Sequence, residues 1–260
     1  RRARQSDQKT LYSTNLCWPS FWPQMFMPFV RPMDVTMLDV QYTSGLPRGL
    51  GNPYEMMDIL EMAESTAPGK PLWGIEVYVQ PQWPAEFTAL QNWGMVAHGM
   101  TNNLVFGWKP YSDRGRPKGN RAWEAPKAPP MWFMIDNDGT LLPNYHTYVR
   151  SVEEIHRFHA RFDGLSLRRV RSDIAFYVSP DTAERVILET GNKPWDSMWQ
   201  RTRNNLVFLL RLHGITVSYV DGTTLPTLPD RFRTVVVPAA PVLGQVAAAR
   251  LASFAGAGGT

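Results

Sequence analysis

Cysteine is nearly absent. Cys17 is the only one in 260 residues, so no internal disulfide can form and no zinc site can be built from clustered thiolates. No uninterrupted apolar run is long enough to suggest a membrane span. No initiator methionine and no signal-like start are present. The sequence opens on Arg1-Arg-Ala-Arg and closes on Ala255-Gly-Ala-Gly-Gly-Thr260, a turn-like run leading toward a strand. It reads as an internal piece of a longer protein, so its localisation is not legible. The second half has no Walker A or Gly-x-Gly-x-x-Gly pattern after its first strand, which leaves nucleotide binding without motif support.

What is present is balanced. Hydrophobic residues at 43% and charged residues at 19% describe an ordinary soluble chain, long enough for one large core or two modest ones. Aromatics reach 12%, with ten tryptophans. Rings stack on the apolar faces of sugars, but large cores use them too, so both readings stand. The net charge of +4 could suit nucleic acid. The basic residues, however, form only two loose clusters: Arg114, Arg116, Lys118 and Arg121, and then Arg168, Arg169 and Arg171. Neither belongs to a reader motif, and the Gly and Pro around the first mark a loop. No nucleic-acid or membrane partner is expected.

Period and punctuation divide the chain. Four strands are expected over Thr10–Asn15, Asp34–Tyr42, Leu72–Val79 and Asn103–Lys109. A helix is expected over Pro53–Ala67, opened by the Asn52-Pro53 cap and first-turn pair. Another is expected over Pro84–Met100, with Leu90, Trp93, Met95, Val96 and Met100 as its apolar stripe. A Pro-rich loop over Pro110–Pro130 and a helix over Asn144–Phe162 follow. Strand and helix alternating at about thirty residues signal a parallel α/β architecture. The second half shows strands at Ile174–Ser179, Ile215–Val220 and Thr234–Ala240. Its helices fall at Lys193–His213, with a stripe of Leu206, Leu209, Leu210 and Leu212, and at Leu243–Phe254. This is a smaller doubly wound domain. The expected domains are 1–166 and 167–260.

One residue stands apart. Glu76 is the lone carboxylate in the run Leu72-Trp-Gly-Ile-Glu-Val-Tyr-Val79. Strand side chains alternate, so Trp73, Ile75, Val77 and Val79 share an apolar face and Glu76 lies on the other with Gly74 and Tyr78. A carboxylate so placed must be paired, hydrogen-bonded or needed for chemistry. Asn15, Asp39 with Tyr42, Glu76 and Trp108 all fall at or near the C-terminal ends of strands, where a (β/α)8 barrel assembles its active site. A chance scatter of polar residues is the alternative.

These residues resemble a known family. Ser13-Thr-Asn15, Val35-Thr-Met-Leu-Asp-Val-Gln-Tyr42, Gly74-Ile-Glu-Val-Tyr-Val-Gln with Trp83, Ala97-His-Gly99 and Val105-Phe-Gly-Trp108 resemble glycoside hydrolase family 42, mainly β-galactosidases. Leu212-His-Gly-Ile-Thr-Val, the run Thr234–Ala240 and Gly258-Gly-Thr260 are similar to that family's trimerisation domain. The resemblance implies strands five to eight of a TIM barrel, then part of a flavodoxin- or amidotransferase-like domain. Glutamine amidotransferases need a cysteine nucleophile in that domain, and Cys17 lies in the other half, so their chemistry is excluded.

The resemblance makes Glu76, at the end of strand seven, the nucleophile of a retaining β-glycosidase, which needs two carboxyl groups about 5–5.5 Å apart. The acid/base in this clan is a Glu after an Asn. No Asn-Glu pair occurs in the sequence, so it is expected upstream of Arg1. Tyr42 would hydrogen-bond the nucleophile and lower its pKa, or it simply packs at the barrel rim. Trp108 would stack beneath the sugar, or serve as a core aromatic. Trp83 would line the same pocket, or begin the next helix. Asp39 would bind a sugar hydroxyl or structure its loop, and Asn15 is a weaker substrate contact. His98, with apolar neighbours, is expected inside a helix as a structural residue.

The chemistry needs carboxylates alone and implies no cofactor or metal. A carbohydrate substrate and a homo-oligomer, a trimer by resemblance, are the implied partners. Two departures weaken the case for galactose: Lys109 stands where the family usually has Arg, and Glu124 lacks the usual His three residues on. A non-catalytic glycan-binding relative and an oligomerisation scaffold are the alternative functions. Half a barrel exposes strand edges, so the fragment alone is expected to be inactive and to aggregate.

Overall fold

The computed structural model describes residues 11–13, 15–16, 27, 30–39, 53–77, 79, 85–105, 134–135, 139–162, 172–190 and 198–260. For 15, 16, 39, 53–57, 76, 85, 190 and 198–201 it describes the backbone alone. The fold is mixed α/β. Strands β1 (Asn15–Leu16), β2 (Thr36–Asp39), β3 (Leu72–Val77) and β4 (Met100–Val105) form a four-stranded sheet in that order. β1 and β2 are parallel, with Asn15 opposite Met37 and Leu16 opposite Leu38.

The chain divides into two compact units. The first comprises Arg1–Leu38, Tyr54–Leu72 and Arg169–Thr260. Its early segments are zipped together: the Asp34 N–H donates to the Tyr12 carbonyl at 2.8 Å, and the Ser13 hydroxyl donates to Val35 O at 2.7 Å. Helix α1 (Pro53–Thr66) starts at the expected proline and buries Ile59, Leu60, Met62 and Ala63. Full burial is worth about 1.5–3 kcal/mol for a side chain such as Leu60.

The rest of this unit is a second parallel sheet. Its strands β5 (Ile174–Tyr177), β6 (Ser218–Val220) and β7 (Thr234–Val236) have the order β6-β5-β7. β5 is central, with β6 and β7 parallel to it on either side. One face packs Ala175, Tyr177, Val220, Leu225, Phe232 and Ala247. On the other, the Phe176 and Tyr219 rings meet edge to face at 5.6 Å. After helix α6 (Gln245–Gly256) the chain turns back, and Thr260 lies beside β7 in parallel register. Its N–H donates to Arg233 O at 3.0 Å, and its carbonyl accepts from the Val235 N–H at 2.7 Å. The turn leading to a strand is therefore in place.

One helix was not expected. α4 (Pro180–Thr190) follows β5 directly, where Ser179 was expected still in the strand. Ser179 is its N-cap: its hydroxyl accepts the Thr182 N–H at 3.1 Å, and Pro180 occupies the first turn. The buried seam is only Ala183 and Val186, and Leu188 is 82% exposed. So short a stripe gives little periodic signal. Helix α5 (Met198–Leu212) occupies the span expected from the sequence; 193–197 lie outside the described residues.

The second unit comprises Asp39–Pro53 and Trp73–Arg168. Helix α2 (Ala85–Ala97) packs on α3 (Pro143–Arg161), with Trp93 and Phe158 edge to face at 5.5 Å. α2 stops three residues short of its expected end, and β4 starts three residues early. Gly99, at φ +83°, is the cause: this left-handed position ends a helix at no steric cost. His98 therefore sits just past the helix, with its N–H donating to the Gly94 and Met95 carbonyls. At the other end of α3, Asn144 Nδ2 donates to Val79 O at 2.7 Å, anchoring the helix to the end of β3.

Two expected stripes are displaced. On α2 the buried positions are Thr88, Gln91, Asn92 and Met95, while Leu90 is 48% exposed. On α5 Arg203 and Val207 are buried, while Leu209 and Leu212 are 51% and 55% exposed. In each helix part of the expected stripe stays on the buried or half-buried side, and polar residues share it: Asn92 bonds Ser151 and Asn103, and Arg203 meets Asp58.

Candidate functional sites

The strand ends come first. Asp39 is the last residue of β2 and Glu76 the next to last of β3, each at the C-terminal end where a carboxylate was expected. Asn15 opens the two-residue β1. For these three the structure describes backbone placement only. Tyr42, Trp83 and Trp108 lie outside the described residues, as do Lys109 and Glu124.

A charged seam runs through the first unit. α1 presents Asp58 and Glu61, one turn apart, and α5 presents Arg203 and Arg211. Asp58 meets Arg203 at 3.6 Å. Glu61 takes both guanidinium ends of Arg211, with Nη1 donating to Oε1 at 2.6 Å. Glu61 is 1% exposed. Burial pushes the Asp58 carboxyl above the usual range, and the guanidiniums of Arg203 and Arg211 only partly counter it. Burial likewise lowers the Arg211 pKa, with Asp58 opposing.

Nearby in sequence, the turn after β6 holds Asp221. Its Oδ1 accepts the N–H and hydroxyl of both Thr223 and Thr224, and its Oδ2 accepts Arg31 Nη2 at 2.5 Å. Burial alone would raise this carboxyl, but the Thr223 hydroxyl, Arg31 and the Thr224 hydroxyl outweigh it and hold it below the usual range. Lys70 Nζ donates to the Arg31 and Met33 carbonyls. Each acid in these clusters is paired with a base. That is the chemistry of a seam holding elements in register, without the free carboxylate a nucleophile requires.

The second unit holds a cavity of about 450 Å³ between α2, β4 and α3. Met95, Val96, Met100, Val152 and Ile155 give it apolar walls, and Asn103, Tyr148, His156 and His159 add polar ones. Burial pushes the Tyr148 hydroxyl up to about 12, so it stays protonated at physiological pH. Sequence reading missed this place. Its one signal is the polar run Thr88, Gln91 and Asn92 at helical spacing. Among the described residues no cluster of His, Cys, Asp or Glu could hold a metal ion, and no helix is long and apolar enough to cross a membrane.

Comparison of the sequence with protein-family models and with curated proteins finds no match. Solved structures do match. The β-galactosidase from the psychrophilic Marinomonas ef1 has a TM-score of 0.70 at 14% identity, covering 96% of this chain and 39% of that one. A catalytic mutant of Gan42B, a GH42 β-galactosidase from G. stearothermophilus, has a TM-score of 0.66 at 13% identity, covering 97% and 36%. An exo-carrageenase GH42 from Bacteroides ovatus has a TM-score of 0.62 at 14% identity, covering 95% and 34%. The chain is thus similar in fold, over nearly all its length, to solved members of the family its sequence resembles. It spans only 34% to 39% of their lengths.

Proposed function

We propose that this chain is the C-terminal part of the catalytic barrel of a retaining β-glycosidase, β-galactosidase-like, joined to part of a trimerisation domain. In this reading β1 to β4 are barrel strands five to eight within 1–166, and 167–260 is the trimerisation segment. The supporting observation is the likeness in fold across 96% of the chain to a β-galactosidase, with Glu76 near the end of β3.

The Glu76 carboxylate attacks the anomeric carbon of a terminal β-linked sugar. As the ester to Glu76 forms, the glycosidic bond breaks, and the leaving oxygen takes a proton from a second carboxyl group on a strand outside this sequence. That group then removes a proton from water, which cleaves the ester with net retention. Tyr42 hydrogen-bonds the nucleophile, Trp108 and Trp83 stack against the sugar, and Asp39 and Asn15 meet its hydroxyls. Leu188, Leu209 and Leu212, exposed on α4 and α5, offer apolar surface for subunit association. Light scattering on protein carrying the complete barrel checks this, a trimer being expected.

In protein carrying the complete barrel, Glu76→Ala is expected to lower aryl β-galactoside hydrolysis by about a thousandfold or more. Azide should restore turnover of an activated substrate. Full activity without azide refutes the assignment. A different sugar preference fits as well, given Lys109 and Glu124 without its histidine. A panel of aryl β-glycosides separates the two, galactose specificity requiring the galactoside to react fastest.

A further inference from the structure

Glu76 sits where its strand is least held. It is the next-to-last residue of β3, whose ladder ends at Val77, and the ends of elements fray. The next tie lies two residues further on. Val79 is fully buried and stands past the ladder, so its carbonyl needs a donor from elsewhere. Asn144 Nδ2 supplies it at 2.7 Å. A backbone carbonyl only accepts, so the amide nitrogen must face it, and no flip or rotation reverses this bond.

The donor is itself firmly held. Asn144 is the second residue of α3 and is buried. Asparagine near a helix start commonly caps its own helix. Here the N-cap is Leu142, without a side-chain capping bond, and the Asn144 amide reaches out to the end of β3 instead. The Leu142 N–H donates to Met134 O at 2.9 Å, which fixes the start of the helix. α3 is braced on α2 by the Trp93 and Phe158 rings and by the Asn92 to Ser151 hydrogen bond. Asn144 therefore ties the end of β3 to a braced helix pair, and Glu76 lies between the ladder and that tie.

We propose that Asn144 is a positioning residue of the active site: by holding the Val79 carbonyl it fixes the exit of β3 and so aims Glu76 at the anomeric carbon. This rests on Glu76 being the nucleophile. A reacting group misplaced by about 1 Å can cost roughly a hundredfold in rate, so the tie serves the reaction as well as the fold.

The test uses protein carrying the complete barrel, with and without Glu76→Ala. Asn144→Leu keeps the branched shape and removes the donor. Alone, it is expected to lower kcat on an activated aryl β-glycoside by roughly 10–100-fold, with KM changed by less than about twofold. In the Glu76→Ala background the nucleophile is free azide, which no strand aims. There Asn144→Leu should change azide-rescued turnover by less than about twofold, since its coupling to Glu76 is gone. A role confined to stability would lower both reactions alike. Should Asn144→Leu not fold, Asn144→Ala leaves room for a water on the Val79 carbonyl and carries the same two measurements. Unchanged kcat, or equal losses in the two backgrounds, overturns the proposal. Azide that fails to restore turnover in Glu76→Ala with Asn144 intact overturns the nucleophile reading itself, and the positioning role falls with it.

Discussion

Helices α5 and α2, in different units, each bury a polar face where the sequence shows an apolar stripe beside it, and they do so by opposite means. α5 brings Arg203 and Arg211 to the acids of α1, in a seam of full charges. α2 brings Asn92 to Ser151 and Asn103, in a chain of neutral amides and a hydroxyl. Charges attract strongly at short range but lose much hydration on burial, so removing one partner of the seam is costly. Neutral groups cost less to bury. Both seams keep buried atoms without a hydrogen-bond partner, Asp58 Oδ1 and Arg211 Nε in the charged one and the Gln91 amide and Asn103 Oδ1 in the neutral one, so what differs between them is the cost of breaking a pair.

Breaking the charged seam gives the largest expected effect. Arg211→Ala removes the guanidinium from both carboxylate oxygens of Glu61, which is 1% exposed, and is expected to destabilise the protein by about 3–5 kcal/mol. Removing both charges, as Glu61→Leu with Arg211→Met, should recover most of that loss. Urea unfolding of the two variants checks the pair. A double variant as weak as the single one would mean that packing, and not the charge left behind, sets the cost.

These faces also mark how far the sequence could be read. Most strands were legible from alternation and β-branched runs, and α1 from its Asn52-Pro53 start; β1 was misplaced, since Asn15 opens the strand Asn15–Leu16 where Thr10–Asn15 was expected to end on it. The parallel α/β character followed from their order. The buried faces of α2 and α5 were not legible. Periodicity identifies a stripe only when the partner surface is apolar, and no local pattern announces that Arg203 will find Asp58 145 positions earlier in the chain. α4 escaped notice because Ala183 and Val186 make too short a seam. At the strand ends, Asp39 and Glu76 were legible as positions. Their partners Tyr42, Trp83 and Trp108 lie outside the described residues.

The amide seam should respond in the opposite direction. Gln91 is 1% exposed, and neither end of its amide has a hydrogen-bond partner. Gln91→Met keeps the length of the side chain and removes both unpaired groups, so it is expected to stabilise by about 1–2 kcal/mol. Thermal unfolding checks it. A destabilised variant would place a bound water on Gln91.

The gentlest contrast lies within the first unit, between Asp58 and Asp221. Burial raises the Asp58 pKa in the folded protein, so the folded form holds its proton more tightly than the unfolded chain. Its favourable contribution is complete below the unfolded pKa of about 4. It is lost as pH rises through the folded value. Asp221 is held low by the threonine hydroxyls and Arg31, which outweigh its burial. Its contribution is therefore complete above about pH 4, and it is lost as pH falls through the folded value. The two tilt the stability curve in opposite senses on either side of that pH. Asp58→Asn should flatten the decline on the upper side and leave the acid limb intact. Asp221→Asn should do the reverse, at the further cost of its pairing with Arg31. Denaturation midpoints measured from pH 3 to 7 separate them. Identical profiles for the two variants would show that Asp58 is held as firmly ionised in its seam as Asp221 is in its turn.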